Sequence, residues 1–202
     1  MTTSVVQHLT HEHELIRSVL LAFSRFLESP EAKSEGAPEE ASMLLTYFEE
    51  LLFLRHEEKE EIVLLPELAR SGMSWSEGAL LYVREEHQQG RHLLASLKHL
   101  VRANGVWTSS QLERCRKTAA EWTEFLFDHM EREEAAVFPV ALDLAPTSER
   151  WLADFVRIDR EIAELRDSAM LEVWARGFLA RYSEGDSRTS GVYSGSAVVA
   201  AE

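Results

Sequence analysis

The sequence contains one eleven-residue pattern twice, and each copy carries a histidine followed four residues later by a glutamate. The pattern H-x-x-x-E-E-x-x-x-[LF]-P begins at His56 and again at His129. A spacing of four residues puts the histidine and the glutamate on the same face of a helix, one turn apart. A Glu-His dipeptide also occurs twice, with its histidines at His13 and His87, and the two offsets nearly agree, at 74 and 73 residues. The chain is therefore predicted to contain two copies of one helical hairpin.

Apolar residues recur at helical spacing through most of the chain, and β-strand alternation is limited to short stretches within longer helical patterns. Four long helices are predicted, over about residues 4–28, 39–70, 74–104 and 110–139. Capping boxes at residues 74–77 (SWSE) and 110–113 (SQLE) are expected to open the third and fourth helices. Pro66 is expected to bend or end the second helix.

The predicted fold class is all-α: an up-down-up-down four-helix bundle with an additional C-terminal helix and a flexible tail. The bundle is assigned to residues 1–145, the helical extension to residues 146–182 and the Ser/Gly-rich tail to residues 183–202. The extension carries a heptad pattern of apolar residues. That pattern consists of Trp151, Phe155, Ile158, Ile162 and Leu165. We expect it to offer an interaction surface, either for a second copy of the chain in a homodimer or for a partner protein.

Each of the four long helices places one histidine in the middle of the apolar stripe that must face the core. These histidines are His13, His56, His87 and His129, and the second and fourth helices add Glu60 and Glu133 one turn further on. Since the rise per residue is about 1.5 Å, counting from each turn puts all six at nearly the same height. The sequence predicts that the six side chains form one site.

Two carboxylates at one level of a core repel each other, and each costs several kcal/mol to bury without compensation. No lysine or arginine occupies the neighbouring positions of the stripe, so metal cations are the expected compensation. The alternative is an ordinary core, in which the histidines are satisfied by hydrogen bonds and the glutamates are protonated or paired. A lone core histidine usually fits that alternative, whereas four at one height with two identical His-Glu pairs favour metal.

The paired H-x-x-x-E-E-x-x-x-[LF]-P segments, with Glu-His on the alternate helices, resemble the hemerythrin-like HHE cation-binding family over about residues 5–140. The resemblance implies a four-helix bundle with a non-haem di-iron centre, its two iron ions joined by an oxo or hydroxo bridge. It also implies terminal ligands and bridging carboxylates. The terminal ligands would be His13, His56, His87 and His129, and the bridging residues would be Glu60 and Glu133.

The sequence departs from oxygen-carrying hemerythrins on the third helix, where Arg91 stands at the position of their second histidine. Two histidines, two bridging carboxylate oxygens and one oxygen bridge then give each iron five ligands, which leaves an octahedral ion one open position. Four further residues are candidates to fill it. They are Glu57, Glu86, His92 and Tyr82. Gly90, one turn beyond His87, is expected either to leave space beside the metal ions or to serve packing alone.

Composition excludes several classes of partner. Because 35 acidic residues face 21 Lys and Arg, the formal net charge is −14, and neither nucleic acid nor an anionic membrane surface is an expected partner. No apolar run is long enough to span a membrane, and no basic segment followed by an apolar one marks a signal peptide. The single cysteine, Cys115, fits a reducing compartment, so a cytoplasmic location is expected.

The function predicted from these residues is binding or sensing of O₂ or a related small oxidant, such as NO or peroxide. The alternative is a di-iron oxidoreductase that consumes peroxide or NO, or an oxygen-dependent oxidase. The ligand set fits both roles, so the sequence alone does not decide whether the protein is an enzyme. Iron storage is a weaker third interpretation, because the chain supplies one enclosed site and no mineral-nucleating surface beyond its general acidity.

Overall fold

A computed structural model describes residues 4–102, 105–144, 148–166 and 168–183, and these residues contain helices and no β-strand. The architecture is the predicted all-α bundle with a C-terminal helical extension. Four long helices form the bundle: α1 (Val5–Glu28), α2 (residues 37–70), α3 (Ala79–Val101) and α4 (Ser109–Ala136). A 3₁₀ turn, Pro30–Lys33, precedes α2, and three shorter elements follow α4: α5 (Phe138–Asp143), α6 (Ser148–Arg166) and α7 (Ser168–Tyr182).

The second helix changes its winding along its length. It begins as an α-helix, continues in two π-helical stretches and ends as an α-helix. These segments are Ala37–Phe48, Glu49–Glu57, Glu60–Leu64 and Leu65–Arg70. Pro66 was expected to bend or end this helix. It lies instead in the first turn of the last α-helical segment, where its missing N–H is tolerated, so α2 continues to Arg70.

Neither the third nor the fourth helix begins at its predicted capping box. The third helix begins at Ala79 after Gly78, and Ser74 and Ser76 hydrogen-bond to each other outside it. The fourth helix is capped by Thr108, whose hydroxyl accepts the backbone N–H of Gln111, while the Gln111 side chain accepts the N–H of Thr108. Runs of serine and threonine offer several cap positions, and the packing of the helix selects among them.

The core of the bundle consists of two apolar clusters with a polar layer between them. Along α1, Leu9 belongs to one cluster and Ile16 to the other, and the buried His13 lies between them. Along α3, Val83 and Leu94 flank His87 in the same way. The helices α1 and α3 therefore run in the same direction. On α2, which lies between them in the chain, the order of the two clusters is reversed, as the up-down-up-down topology requires.

The extension packs on the bundle through the apolar residues of the predicted heptad. Trp151, Phe155 and Ile158 are buried in the cluster that contains Leu9, so they are not available to a second chain. The pattern does not extend to Leu165, which is 78% exposed. The described residues of the extension are helical over Ser148–Arg166 and Ser168–Tyr182, in agreement with the predicted additional C-terminal helix. The boundary expected at residue 145 lies outside the described residues, as does the tail expected over residues 183–202 apart from Ser183.

Candidate metal centre

The first pair of histidines meets between α1 and α2. His13 and His56 are both buried, and their Nε2 atoms lie 3.0 Å apart. Glu133 reaches this pair from α4, with its Oε2 atom 3.3 Å from His13 Nε2. Glu60, one turn after His56 on α2, places its Oε2 atom 3.6 Å from His56 Nε2. Two imidazole nitrogens and two carboxylates therefore converge on one point.

The second pair, His87 on α3 and His129 on α4, is served by the same two glutamates. Glu133 Oε1 lies 3.3 Å from His129 Nε2 and 3.6 Å from His87 Nε2. Glu60 Oε2 lies 3.4 Å from His87 Nε2. Each glutamate thus contacts both histidine pairs, and Glu133 does so with one oxygen to each. The structure brings together all six residues that the sequence predicted to form one site.

The outer nitrogen of every histidine in the centre is held by a glutamate of a neighbouring helix. All four Nδ1 atoms donate to a carboxylate oxygen at 2.8–3.0 Å. The pairs are His13 with Glu134, His56 with Glu12, His87 with Glu61 and His129 with Glu86. These hydrogen bonds fix the orientation of each ring and direct its Nε2 atom toward the other ligands.

Each of these four glutamates is in turn held by a cation. The pairs are Glu134 with Arg17, Glu12 with Lys59, Glu61 with Arg91 and Glu86 with Arg132. Lys59 is fully buried, although it does not belong to the apolar stripe of α2 from which the buried residues were predicted. The π-helical turns on either side of Lys59 carry more residues per turn than an α-helix and widen the inward-facing side of α2.

The outer glutamates stay ionised in this environment. Burial raises the pKa of Glu12, but the Lys59 ammonium and the hydrogen bond from His56 outweigh burial and hold this pKa well below its ordinary value. The hydrogen bond from His87 is the largest influence on Glu61 and lowers its pKa to about 2. An ionised carboxylate only accepts hydrogen bonds, so each Nδ1 must carry the proton.

The inner cluster attracts positive charge. Burial lowers the pKa of His56, but Glu60 and Glu12 outweigh burial and raise it to about 9. For Glu133 burial acts in the other direction and raises the pKa of the carboxyl group, yet His129 and His13 hold this pKa well below its ordinary value. The two inner carboxylates therefore favour cations strongly enough to retain protons on buried imidazoles.

A transition-metal ion fits the donor atoms of this cluster. Neutral histidines that donate through Nδ1 present lone pairs on Nε2, and the Nε2 lone pairs of His13 and His56, 3.0 Å apart, repel each other unless a proton or a metal ion lies between them. Two donor atoms at a right angle, each about 2.1 Å from one metal ion, are about 3.0 Å apart. Six buried atoms of the cluster also have no hydrogen-bond partner among the described residues. They are both carboxylate oxygens of Glu60 and of Glu133, and Nε2 of His87 and of His129.

Comparison with known families agrees with this donor set. The family model described as the hemerythrin HHE cation-binding domain matches residues 4–141. The chain belongs to this family. The hemerythrin match contains all six residues of the cluster and ends before α6, so the extension lies beyond it. No curated protein and no solved structure matches the chain significantly.

The four further candidates of this hemerythrin domain occupy different places. Glu57 is buried, and it lies with Glu61 and His87 in a group whose donor atoms are within 4.8 Å of one another. Burial raises the pKa of Glu57 to about 7. Glu86 holds the outer nitrogen of His129 and so supports the ring from behind. His92 and Tyr82 are exposed, and the structure does not bring them to the cluster.

Gly90 does not leave open space beside the cluster. A Cβ atom built on Gly90 would lie 3.5 Å from the Phe125 ring, 3.7 Å from Leu126 and 3.9 Å from the Phe53 ring, all ordinary van der Waals distances. The surroundings of Gly90 are therefore apolar side chains, and a methyl group at this position would contact them without displacing them.

Proposed function

We propose that this hemerythrin-family chain holds two non-haem iron ions joined by an oxo or hydroxo bridge. His13 and His56 would bind one ion, His87 and His129 the other, and Glu60 and Glu133 would bridge them. The observation that carries the proposal is the set of buried carboxylate and imidazole atoms without hydrogen-bond partners. Such atoms are costly in a folded protein unless an ion satisfies them.

The ligand of the loaded centre is proposed to be O₂ or a related small oxidant, such as NO or peroxide, which a di-iron centre can bind and reduce. The six inner residues are at most 1% exposed, so a large organic substrate has no direct route to the ions. The apolar clusters above and below shield the six inner residues from water. Binding or sensing of such a molecule is the function that this enclosed geometry supports best.

Glu57 makes the two halves of the proposed centre unequal. Its carboxyl group lies near Glu61 and His87 and pairs with Arg91 at 2.7 Å, and we infer that it would serve as a further ligand to the second ion. No comparable carboxylate is grouped with His13 and His56 beyond Glu60 and Glu133 in the described part of the chain. We infer that the ion at His13 and His56 keeps the more open coordination position and that the small oxidant binds there.

The alternative function is a di-iron oxidoreductase that consumes peroxide or NO, or an oxygen-dependent oxidase. Glu57 is the observation that favours it, because turnover requires a group that carries protons and this buried carboxyl group is not needed to bridge the ions. Binder and enzyme therefore share one centre and differ in the role of one residue.

The experiment that tests the proposal is metal analysis and visible spectroscopy of protein purified in air. We expect about two iron ions per chain and ferric charge-transfer bands that change on reduction and on re-exposure to O₂. The same sample, mixed with peroxide or NO, separates the roles, since an enzyme consumes many equivalents and a binder only one. A folded protein that takes up no iron would overturn the proposal and leave the histidines as core residues.

Replacing Glu57 with alanine is expected to leave about two iron ions per chain and to change the visible spectrum, because the six inner residues remain. If the protein is an enzyme, loss of this proton carrier lowers turnover with peroxide or NO by about 100-fold or more. Glu58→Ala is the matched control, since Glu58 is the next residue on the same helix and lies outside the cluster. Equal spectra for the two variants would contradict a ligand role for Glu57.

A cytoplasmic location and a homodimer remain predictions. The buried, unpaired Cys115 supports a reducing compartment. No helix in the described residues is both long and apolar enough to cross a membrane. On α6, Val156 and Leu165 are more than half exposed and remain available to a second copy or a partner. Sedimentation of the purified protein tests whether it dimerises.

A further inference from the structure

The four series of histidine, glutamate and cation follow the internal repeat of the sequence, and the series through Lys59 differs from its counterpart through Arg132. Lys59 and Arg132 occupy equivalent positions, each three residues after the histidine of its motif. The side chain of Arg132 is 48% exposed, whereas that of Lys59 is fully buried. Among the described residues, Arg132 pairs with Glu86 alone, while Lys59 has a second carboxylate partner.

That second partner comes from the C-terminal extension. Asp159 on α6 places its Oδ1 atom 2.6 Å from Lys59 Nζ. The Phe155 ring, one turn earlier on α6, covers the ammonium group with its centroid 5.8 Å from Nζ. His8 on α1 lies 3.2 Å from the same nitrogen. Because Lys59 occupies the space among His8, Glu12 and Asp159, these three residues surround an ammonium group and do not form a separate metal site.

We propose that Asp159 is a positioning residue for the metal centre and that, through Lys59 and Glu12, it fixes the imidazole of His56. The proposal rests on the proposed di-iron function. A buried ammonium group needs carboxylate partners. With Asp159 in place, Glu12 shares Lys59 and can direct its other oxygen to His56 Nδ1 at 3.0 Å. Without Asp159, Glu12 alone must balance Lys59, and its bond to His56 weakens.

The consequence is a coupling between the docking of α6 and the metal ion at His13 and His56. Such coupling is reciprocal: if a docked α6 strengthens metal binding, then metal binding strengthens the docking of α6 by the same factor. Among the described residues the His87 and His129 pair has no such connection, because its outer glutamates are held by Arg91 and Arg132, neither of which pairs with the extension. Only one of the two ions is therefore linked to the extension.

The test is an anaerobic titration of the metal-free full-length protein with Fe(II) against a competing chelator. Wild-type protein should bind two ions, and Asp159→Asn should bind one of them about tenfold more weakly, as expected for the loss of an outer-shell partner. Asp159→Glu keeps the charge and should restore the affinity. In a Lys59→Gln background, Asp159→Asn should add no further loss, since Asp159 acts only through Lys59.

Two controls separate positioning from general effects. Asp154→Asn removes the same charge from α6, where Asp154 pairs with Arg157 and not with the bundle. Glu172→Gln removes another ion pair between the extension and α2, because Glu172 binds Arg55, whose other partner is Glu50 and not a histidine. Both variants should retain the wild-type affinity for both ions.

Hydrogen exchange supplies a second measurement that does not depend on activity. Protection of residues 148–166 should increase when wild-type protein is loaded with Fe(II), and this increase should disappear in Asp159→Asn. Suppose that wild-type protein binds two ions, and that Asp159→Asn and Asp154→Asn have equal metal affinities and equal protection. That result would overturn this inference but not the di-iron proposal. Failure of wild-type protein to bind iron would overturn the di-iron proposal and the inference with it.

Discussion

Replacing Glu133 with alanine is expected to remove at least one of the two metal ions from each chain, together with most of the visible absorption. Glu133 is the residue that contacts both histidine pairs with separate oxygens, 3.3 Å from His13 and 3.3 Å from His129. Its loss removes one donor from each proposed ion at once. Iron content per chain and the spectrum of protein purified in air measure the effect.

Glu60→Ala should act in the same direction with a smaller effect, because Glu60 contacts His56 and His87 through a single oxygen. Glu131→Ala is the matched control: it makes the same chemical change two residues away on α4, where Glu131 is exposed. Retention of two iron ions and an unchanged spectrum in Glu133→Ala would show that Glu133 does not bridge the ions.

The helices and the inner six residues could be predicted from the sequence because both depend on local periodicity. Apolar residues at helical spacing define a face, and a histidine in the middle of that face must point into the core. The chain needs no long-range information to place His13 or His87 there. Their common height also follows, since short turns between antiparallel helices leave little freedom along the axis.

The outer residues could not be predicted in the same way, because they join different helices. Whether Glu134 reaches His13 depends on the relative rotation of α1 and α4, which no pattern within one helix determines. The relevant signal was present in the motif, however. The second glutamate of each Glu-Glu pair and the glutamate of each Glu-His dipeptide are the residues that hold the outer nitrogens.

The burial of Lys59 was missed for a different reason. The prediction treated α2 as a regular α-helix, whereas the π-helical stretches Glu49–Glu57 and Glu60–Leu64 lie on either side of the lysine. π-Helical turns often occur at functional sites, and here they bring Glu57 and Lys59 inward together with His56 and Glu60. The asymmetry between the two halves of the centre begins with this local winding.

The repeat and its exceptions together would make the two halves of the proposed metal centre different. Both halves inherit the same inner donors and the same outer glutamates. Glu57 then adds a buried carboxyl group on the side of His87, while Asp159 of the extension adds a connection on the side of His56. These added residues would make the two proposed ions inequivalent.

Removing the metal is expected to lower the free energy of unfolding of the protein by an amount comparable with the total stability of a small domain. The metal-free centre buries the carboxylates of Glu60 and Glu133 with protons on the histidines as their compensation, as the raised pKa of His56 indicates. At a free ion concentration 100 times the dissociation constant, each bound ion adds about 2.7 kcal/mol, so two add about 5 kcal/mol. Domains are typically stable by about 5–15 kcal/mol.

Thermal unfolding followed by circular dichroism measures this difference. For a chain of this length, about 5 kcal/mol corresponds to a midpoint roughly 10–20 °C lower for the metal-free protein than for the loaded one. A Glu60→Ala, Glu133→Ala double variant should show no such dependence on iron, because it lacks both bridging carboxylates. Midpoints that coincide with and without iron in the wild-type protein would mean that the polar layer is already satisfied by its own protons. The His-Glu pairs would then stabilise the core, and the bundle would not need metal to balance its buried charge.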